Sequence, residues 1–79
     1  MLYSTQKLRH LRATIGRNIH AARVERKVLL HKLAAASGVP PEMLDRYELG
    51  KNEIRLEEML RIASALDLRI TALPADVVE

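Results

Sequence analysis

The sequence predicts a small all-α protein, a bundle of four to five helices around one core. Three observations carry that expectation. The 79 residues suit a single small domain. The apolar residues make up 48% of the chain and are mostly Leu, Ala, Ile and Val, with no Phe or Trp; a sheet protein would want more aromatic and β-branched side chains. The apolar positions also recur every three or four residues, the period of a helix.

The first helix is expected over about Thr5 to Arg26. Leu8, Leu11, Ile15, Ile19 and Ala22 form one apolar stripe along it. Gly16 lies inside, where it costs about 1 kcal/mol relative to Ala; it either breaks the segment or admits a close neighbour. Leu30, Leu33 and Ala34 mark a short second helix, which Gly38 can end. Pro41 suits the first position of a third helix, where its missing N–H matters least, and Pro40 holds the entry extended. Met43, Leu44 and Tyr47 are the apolar positions of that helix, and Gly50 closes it. Leu56, Met59, Leu60, Ala63 and Leu66 define a fourth helix, with Glu57 and Glu58 in its first turn at the positive end of the dipole. After Asp67 the period changes to two: Leu68, Ile70 and Ala72 alternate with Arg69 and Thr71. A lone strand has no partner in a helical chain. Residues 68–73 are therefore either a strand that pairs with a second copy, using Leu68, Ile70 and Leu73, or a turn.

Charge divides the chain. Residues 1–32 hold eight Lys or Arg against Glu25 alone, whereas residues 33–79 hold five against nine acids. A basic half points to an anionic partner, most commonly nucleic acid, or to a helix surface facing an acidic half in the same chain or a second copy. The absence of Cys excludes disulfides and thiolate metal sites. No apolar run approaches the roughly 18 residues of a membrane span, and residues 1–20 are too charged for a secretory signal, so a soluble, cytoplasmic protein is expected. No metal or other cofactor is expected: His10, His20 and His31 are too far apart for a short ligand motif, and there is no phosphate-binding Gly loop. Ser4, Ser37 and Ser64 lack the Gly-x-Ser-x-Gly elbow of a serine nucleophile. No catalytic residue stands out, and the expectation is a protein that is not an enzyme.

One constellation is more specific than any of its parts. Gly16-x-x-Ile19-x-x-x-Arg23, Leu33-Ala34, Gly38-Val39, Leu44, Glu48-x-Gly50-Lys51, Leu60, Ile62-Ala63 and Ala65-Leu66 stand in a fixed register. That register resembles the helix-turn-helix family of phage repressors, the lambda repressor and Cro type, with its XRE-like transcriptional regulators. The resemblance covers about residues 15–68 of one domain spanning 1–79, with a helical extension over 1–14 and a strand or tail over 69–79. It implies that the second and third helices cross at Ala34, that Gly38 takes the tight turn, and that Val39 and Leu44 fill the wedge between them. It also implies an ion pair between Arg23 and Glu48 beneath the turn; two solvent-exposed charges are the other reading. The start of the third helix would meet base edges in the major groove, through Pro41, Glu42, Met43 and Arg46. Arg46 is the best reader, because a guanidinium can bond guanine O6 and N7 together; pairing with Glu42, four residues earlier, is its alternative role. Glu42 could accept from cytosine N4.

The chain departs from this family at the starts of its helices. Leu29 and Leu30 stand where a Ser or Thr cap and a Gln usually hold phosphate, Lys27 stands for a small residue, Pro40 replaces the cap of the third helix, and Ile54-Arg55 replaces the Pro-Ser or Pro-Thr that often opens the fourth. Phosphate contacts then fall to Lys27, His31, Lys51, Asn52 and Arg55, aided by helix N-termini, and the first two helices are expected to join with little break. The resemblance implies a sequence-specific DNA-binding regulator. It would act as a homodimer on a palindromic operator, by occupancy, as a repressor or an antitoxin-like autoregulator with a toxin or other protein partner. The alternative is a protein-interaction module that kept the fold and lost DNA. Glu42, Asp45, Leu29 and Leu30 point that way.

Overall fold

The computed structural model describes residues 4–68. They form four helices: α1 (Thr5–Glu25), α2 (Leu30–Ser37), α3 (Pro41–Glu48) and α4 (Leu56–Ala65). No strand occurs among them. Of the residues expected to pair as a strand, Ile70 and Leu73 lie outside the described residues, and Leu68 packs partly buried against the core.

Ser4 starts α1, its hydroxyl accepting from the Lys7 N–H at 3.1 Å. The helix runs unbroken through Gly16 because α3 ends directly against that residue. A Cβ added there would meet the carbonyl oxygens of Tyr47 and Glu48, the latter at 2.8 Å. Close packing, not a break, is what this glycine supplies.

The helix ends share one device. Lys27, Gly50 and Asp67 each take positive φ one residue past a cap, at 57°, 73° and 56°. The bonds around them are the paired 6→1 and 5→2 contacts of the Schellman ending: Val28 N–H to Arg23 and Lys27 N–H to Val24, Lys51 to Arg46 and Gly50 to Tyr47, Leu68 to Ala63 and Asp67 to Ser64. At the end of α2, Gly38 (φ 76°) donates to the Ala34 carbonyl in the simpler single-bond ending. The expected near-fusion of the first two helices does not occur. Lys27 turns the chain sharply, and α2 begins at Leu30 with Leu29 as an N-cap that offers no side-chain bond.

The core is built from Ile19 and Ala22 of α1, Leu33 and Ala34 of α2, Val39 of the turn, Leu44 and Tyr47 of α3, and Ile62 and Leu66 at α4. Ser37 is buried among them: its hydroxyl donates to the Leu33 carbonyl at 2.7 Å and accepts from Val39 N–H at 3.3 Å, stitching α2 to the turn. Arg61 reaches across from α4 to the Ser37 carbonyl at 2.9 Å. Of the apolar positions that define α4, Ala63 and Leu66 are buried together with Ile62, whereas Leu56 and Leu60 are 69% and 48% exposed.

Candidate nucleic-acid interface

α2 and α3, two short helices of eight residues each, are joined by the Gly38 turn and packed on one core. A helix of this length is not stable alone, so its orientation must come from anchors. Leu44 is fully buried and Tyr47 nearly so, which fixes the inner face of α3. The Tyr47 hydroxyl donates to the Glu58 carboxylate of α4. Burial first, and then this bond, pushes the Tyr47 hydroxyl up to about 12.

The base of α3 is held by Glu48. Arg23 donates to it with two nitrogens, Nε to Oε2 at 2.6 Å and Nη2 to Oε1 at 3.0 Å, and uses Nη1 to bond the Val28 carbonyl at 2.9 Å. His20 Nδ1 lies 2.8 Å from the same Glu48 Oε1. One carboxylate thus joins the end of α3 to α1, and through Arg23 to the connection before α2. Burial works to raise the Glu48 carboxyl, but the bonds from Arg23 and His20 outweigh it and hold it below the usual carboxylate range. The Glu48 bond likewise raises Arg23 above its ordinary value, against the effect of burial. The register in the sequence pointed to Arg23 and Glu48. It missed His20, which is 28 residues from Glu48 with no spacing motif to mark it.

With Leu44 and Tyr47 inward, helical geometry turns Pro41, Glu42, Asp45 and Arg46 outward, followed by Leu49, and all five are exposed. Of the four residues expected to face bases, three are on this surface. Met43 is half-buried and packs against the core. Asp45, which the sequence reading did not place among the base-facing residues, takes the outward place. Arg46 does not pair with Glu42. Its Nε donates to Asn52 Oδ1 at 2.8 Å, leaving both terminal nitrogens without a partner among the described residues.

The expected phosphate contacts are scattered over three connections. His31 shares a shallow hollow of about 450 Å³ with Ala35, Pro40 and Pro41, so it sits beside the start of α3. Lys51 and Asn52 follow the end of α3, where Asn52 is tied to Arg46. Lys27 and Arg55 are exposed in the α1–α2 connection and at the N-cap of α4. No hydrogen bond among the described residues links either of them to α3. Among the same residues, no three His, Asp or Glu side chains cluster as a metal site would require, and no helix is long and apolar enough to cross a membrane.

A deeper groove of about 480 Å³ runs between α1 and α3, lined by Arg17, His20, Ala21, Leu30, Asp45 and Leu49 among others. A family model described as helix-turn-helix matches residues 19–73, from the last third of α1 to beyond α4. No curated protein and no solved structure matches the chain.

Proposed function

The chain belongs to the XRE-like helix-turn-helix family of DNA-binding transcription regulators, and from that premise we propose that it represses transcription as a homodimer on a palindromic operator. The observation that carries the reading is Arg46. It stands on the outward face of α3, its Nε is held by Asn52, and its terminal nitrogens bond nothing among the described residues. A guanidinium so held loses less freedom on reaching guanine than a loose one would. Glu48, locked by Arg23 and His20, keeps the helix beneath it in place. Pro40-Pro41 are tolerable because a helix start has no use for their missing N–H groups. Glu42 and Asp45 then act as cytosine acceptors or as brakes on wrong sites, since an acid near an unmatched base or phosphate costs energy. Lys27, His31, Lys51, Asn52 and Arg55 are the proposed phosphate contacts.

A dimer would set two α3 helices in successive major grooves, about 34 Å apart. Leu56 and Leu60, exposed four residues apart on one side of α4, support it, as does the alternation of Leu68, Ile70 and Ala72 that ends at Leu73. An antitoxin-like role, with a protein partner seated on the same domain, is the narrower form of this proposal. The second reading, a protein-interaction module without DNA, is favoured by one observation: two acids and the 59% exposed Leu49 share the outward side of α3 beside the groove. Selection of bound duplexes from a random pool, followed by a salt titration, separates the two readings. Phosphate-driven binding falls steeply with salt, and an apolar contact does not.

A further inference from the structure

α1 is 21 residues long, and 14 of them, Thr5 to Asn18, precede the helix-turn-helix match that begins at residue 19. This stretch carries Lys7, Arg9, Arg12 and Arg17, and the helix has no acid before Glu25. Its last turns pack against the end of α3. A Cβ on Gly50 would lie 2.9 Å from Ala13 Cα, and one on Gly16 would lie 2.8 Å from the Glu48 carbonyl oxygen. Residues four apart share a face of a helix. Arg9, four before Ala13, and Arg12, four before Gly16, therefore lie one turn further along the row that meets α3. That turn, about 5.4 Å of helix, brings them beside the connection Gly50-Lys51-Asn52. The Arg46–Asn52 bond ties this connection to the outward face of α3.

From this placement we propose that Arg9 and Arg12 form, with Lys51, a second contact for the phosphate backbone of the duplex held by α3, outside the helix-turn-helix itself. The inference rests on the DNA-binding reading above. Arg9 is exposed, and neither arginine has an acidic partner among the described residues. The Arg12 Nε is shielded from solvent and bonds nothing there, so the inner end of this side chain lies against the protein with no acid paired to it among the described residues. Glu53 is the one acid of the Gly50–Arg55 connection, and three cations outnumber it. Guanidinium groups match phosphate oxygens in pairs, and the diester backbone offers such oxygens in a continuous row.

The experiment titrates salt against the full chain and a duplex selected from a random pool. Wild type is compared with Arg9→Gln, Arg9→Gln/Arg12→Gln and Lys7→Gln, each checked by thermal melting. Each arginine removed should lower the slope of log affinity against log salt by about 0.9. Over a fourfold rise in salt, wild type should then lose about 12-fold more affinity than the double variant. Lys7 is two residues from Arg9 and so on the other side of α1; its variant should keep the wild-type slope. Arg9→Gln lies at an exposed position and serves alone should the double variant melt early. The inference is overturned if wild type binds with a salt-sensitive affinity that Arg9→Gln leaves unchanged. It is also overturned if Lys7→Gln flattens the slope as much, since the contribution would then be diffuse charge. A wild type that binds no duplex at low salt would overturn the DNA-binding reading itself, and this site with it.

Discussion

Glu48→Gln keeps the shape of the side chain and removes its charge. In the wild type this carboxylate meets two Arg23 nitrogens at 2.6 and 3.0 Å and His20 Nδ1 at 2.8 Å. The Glu48 side chain is 7% exposed and that of Arg23 14%. The amide keeps one acceptor but turns an NH₂ group toward donors, and it leaves Arg23 charged with one neutral amide oxygen and the Val28 carbonyl to bond. Stranding one member of a buried pair costs about 3–5 kcal/mol. The residual exposure and the surviving Val28 bond lower this to about 2–4 kcal/mol. Against the roughly 4–12 kcal/mol of a domain this size, that is a large fraction. Urea melts of Glu48→Gln, Arg23→Met and the double variant form a cycle, in which the pair should show a coupling of about 1–3 kcal/mol. The pH dependence has a definite direction. Because the Glu48 carboxyl sits below its ordinary 4.5 in the folded chain, its contribution is fully present above that value and is lost as pH falls through the depressed one. The gap between wild type and Glu48→Gln should stay constant at neutral pH and close only below about 4.5. Additive losses in the cycle, or a gap that persists into strong acid, would refute the reasoning.

Three further outcomes follow from single positions. Lys27→Gly removes a side chain from a left-handed position and should stabilise the fold by about 1 kcal/mol, seen as a higher Tm, while lowering the salt slope of DNA binding by about one if Lys27 holds a phosphate. Gly16→Ala gains about 1 kcal/mol of helix propensity, yet its Cβ would strike the Tyr47 and Glu48 carbonyls; a net loss of about 2 kcal/mol in denaturant melts is expected. Tyr47→Phe loses the bond to Glu58 and should cost about 1 kcal/mol at neutral pH. Because the folded Tyr47 hydroxyl sits at about 12 against an ordinary 10, that advantage of the wild type should be intact below pH 10 and shrink as pH rises toward 12.

Much of the fold was legible because periodicity and glycines report backbone geometry directly. Gly38 and Gly50 mark helix ends because positive φ is nearly free without a Cβ. Lys27 and Asp67 do the same work invisibly: other residues accept that conformation when the Schellman bonds are made, so nothing in their chemistry announces it. The buried face of α4 was not legible because two apolar stripes, Leu56–Leu60 and Ile62–Leu66, overlap on one helix. Spacing alone cannot say which of them meets the core. On α3 the alternation of Leu44 and Tyr47 settles the buried side, and that places Asp45 outward and Met43 partly inward. The partners of Arg46 and Glu48 needed coordinates. Asn52 and His20 are ordinary polar residues that only tertiary packing brings within reach.

On the proposed reading, Arg46 recognises sequence from the face of α3. The most direct measurement is the affinity of wild type and Arg46→Ala for the duplex selected by wild type and for a scrambled duplex of equal length, at one salt concentration. Arg46→Ala should lose about 1–3 kcal/mol on the selected duplex, with preference relaxed at one base position, and change little on the scrambled one. Equal losses on both duplexes would make Arg46 a phosphate contact, and unchanged affinity on both would contradict the reading of α3 as the element that recognises DNA.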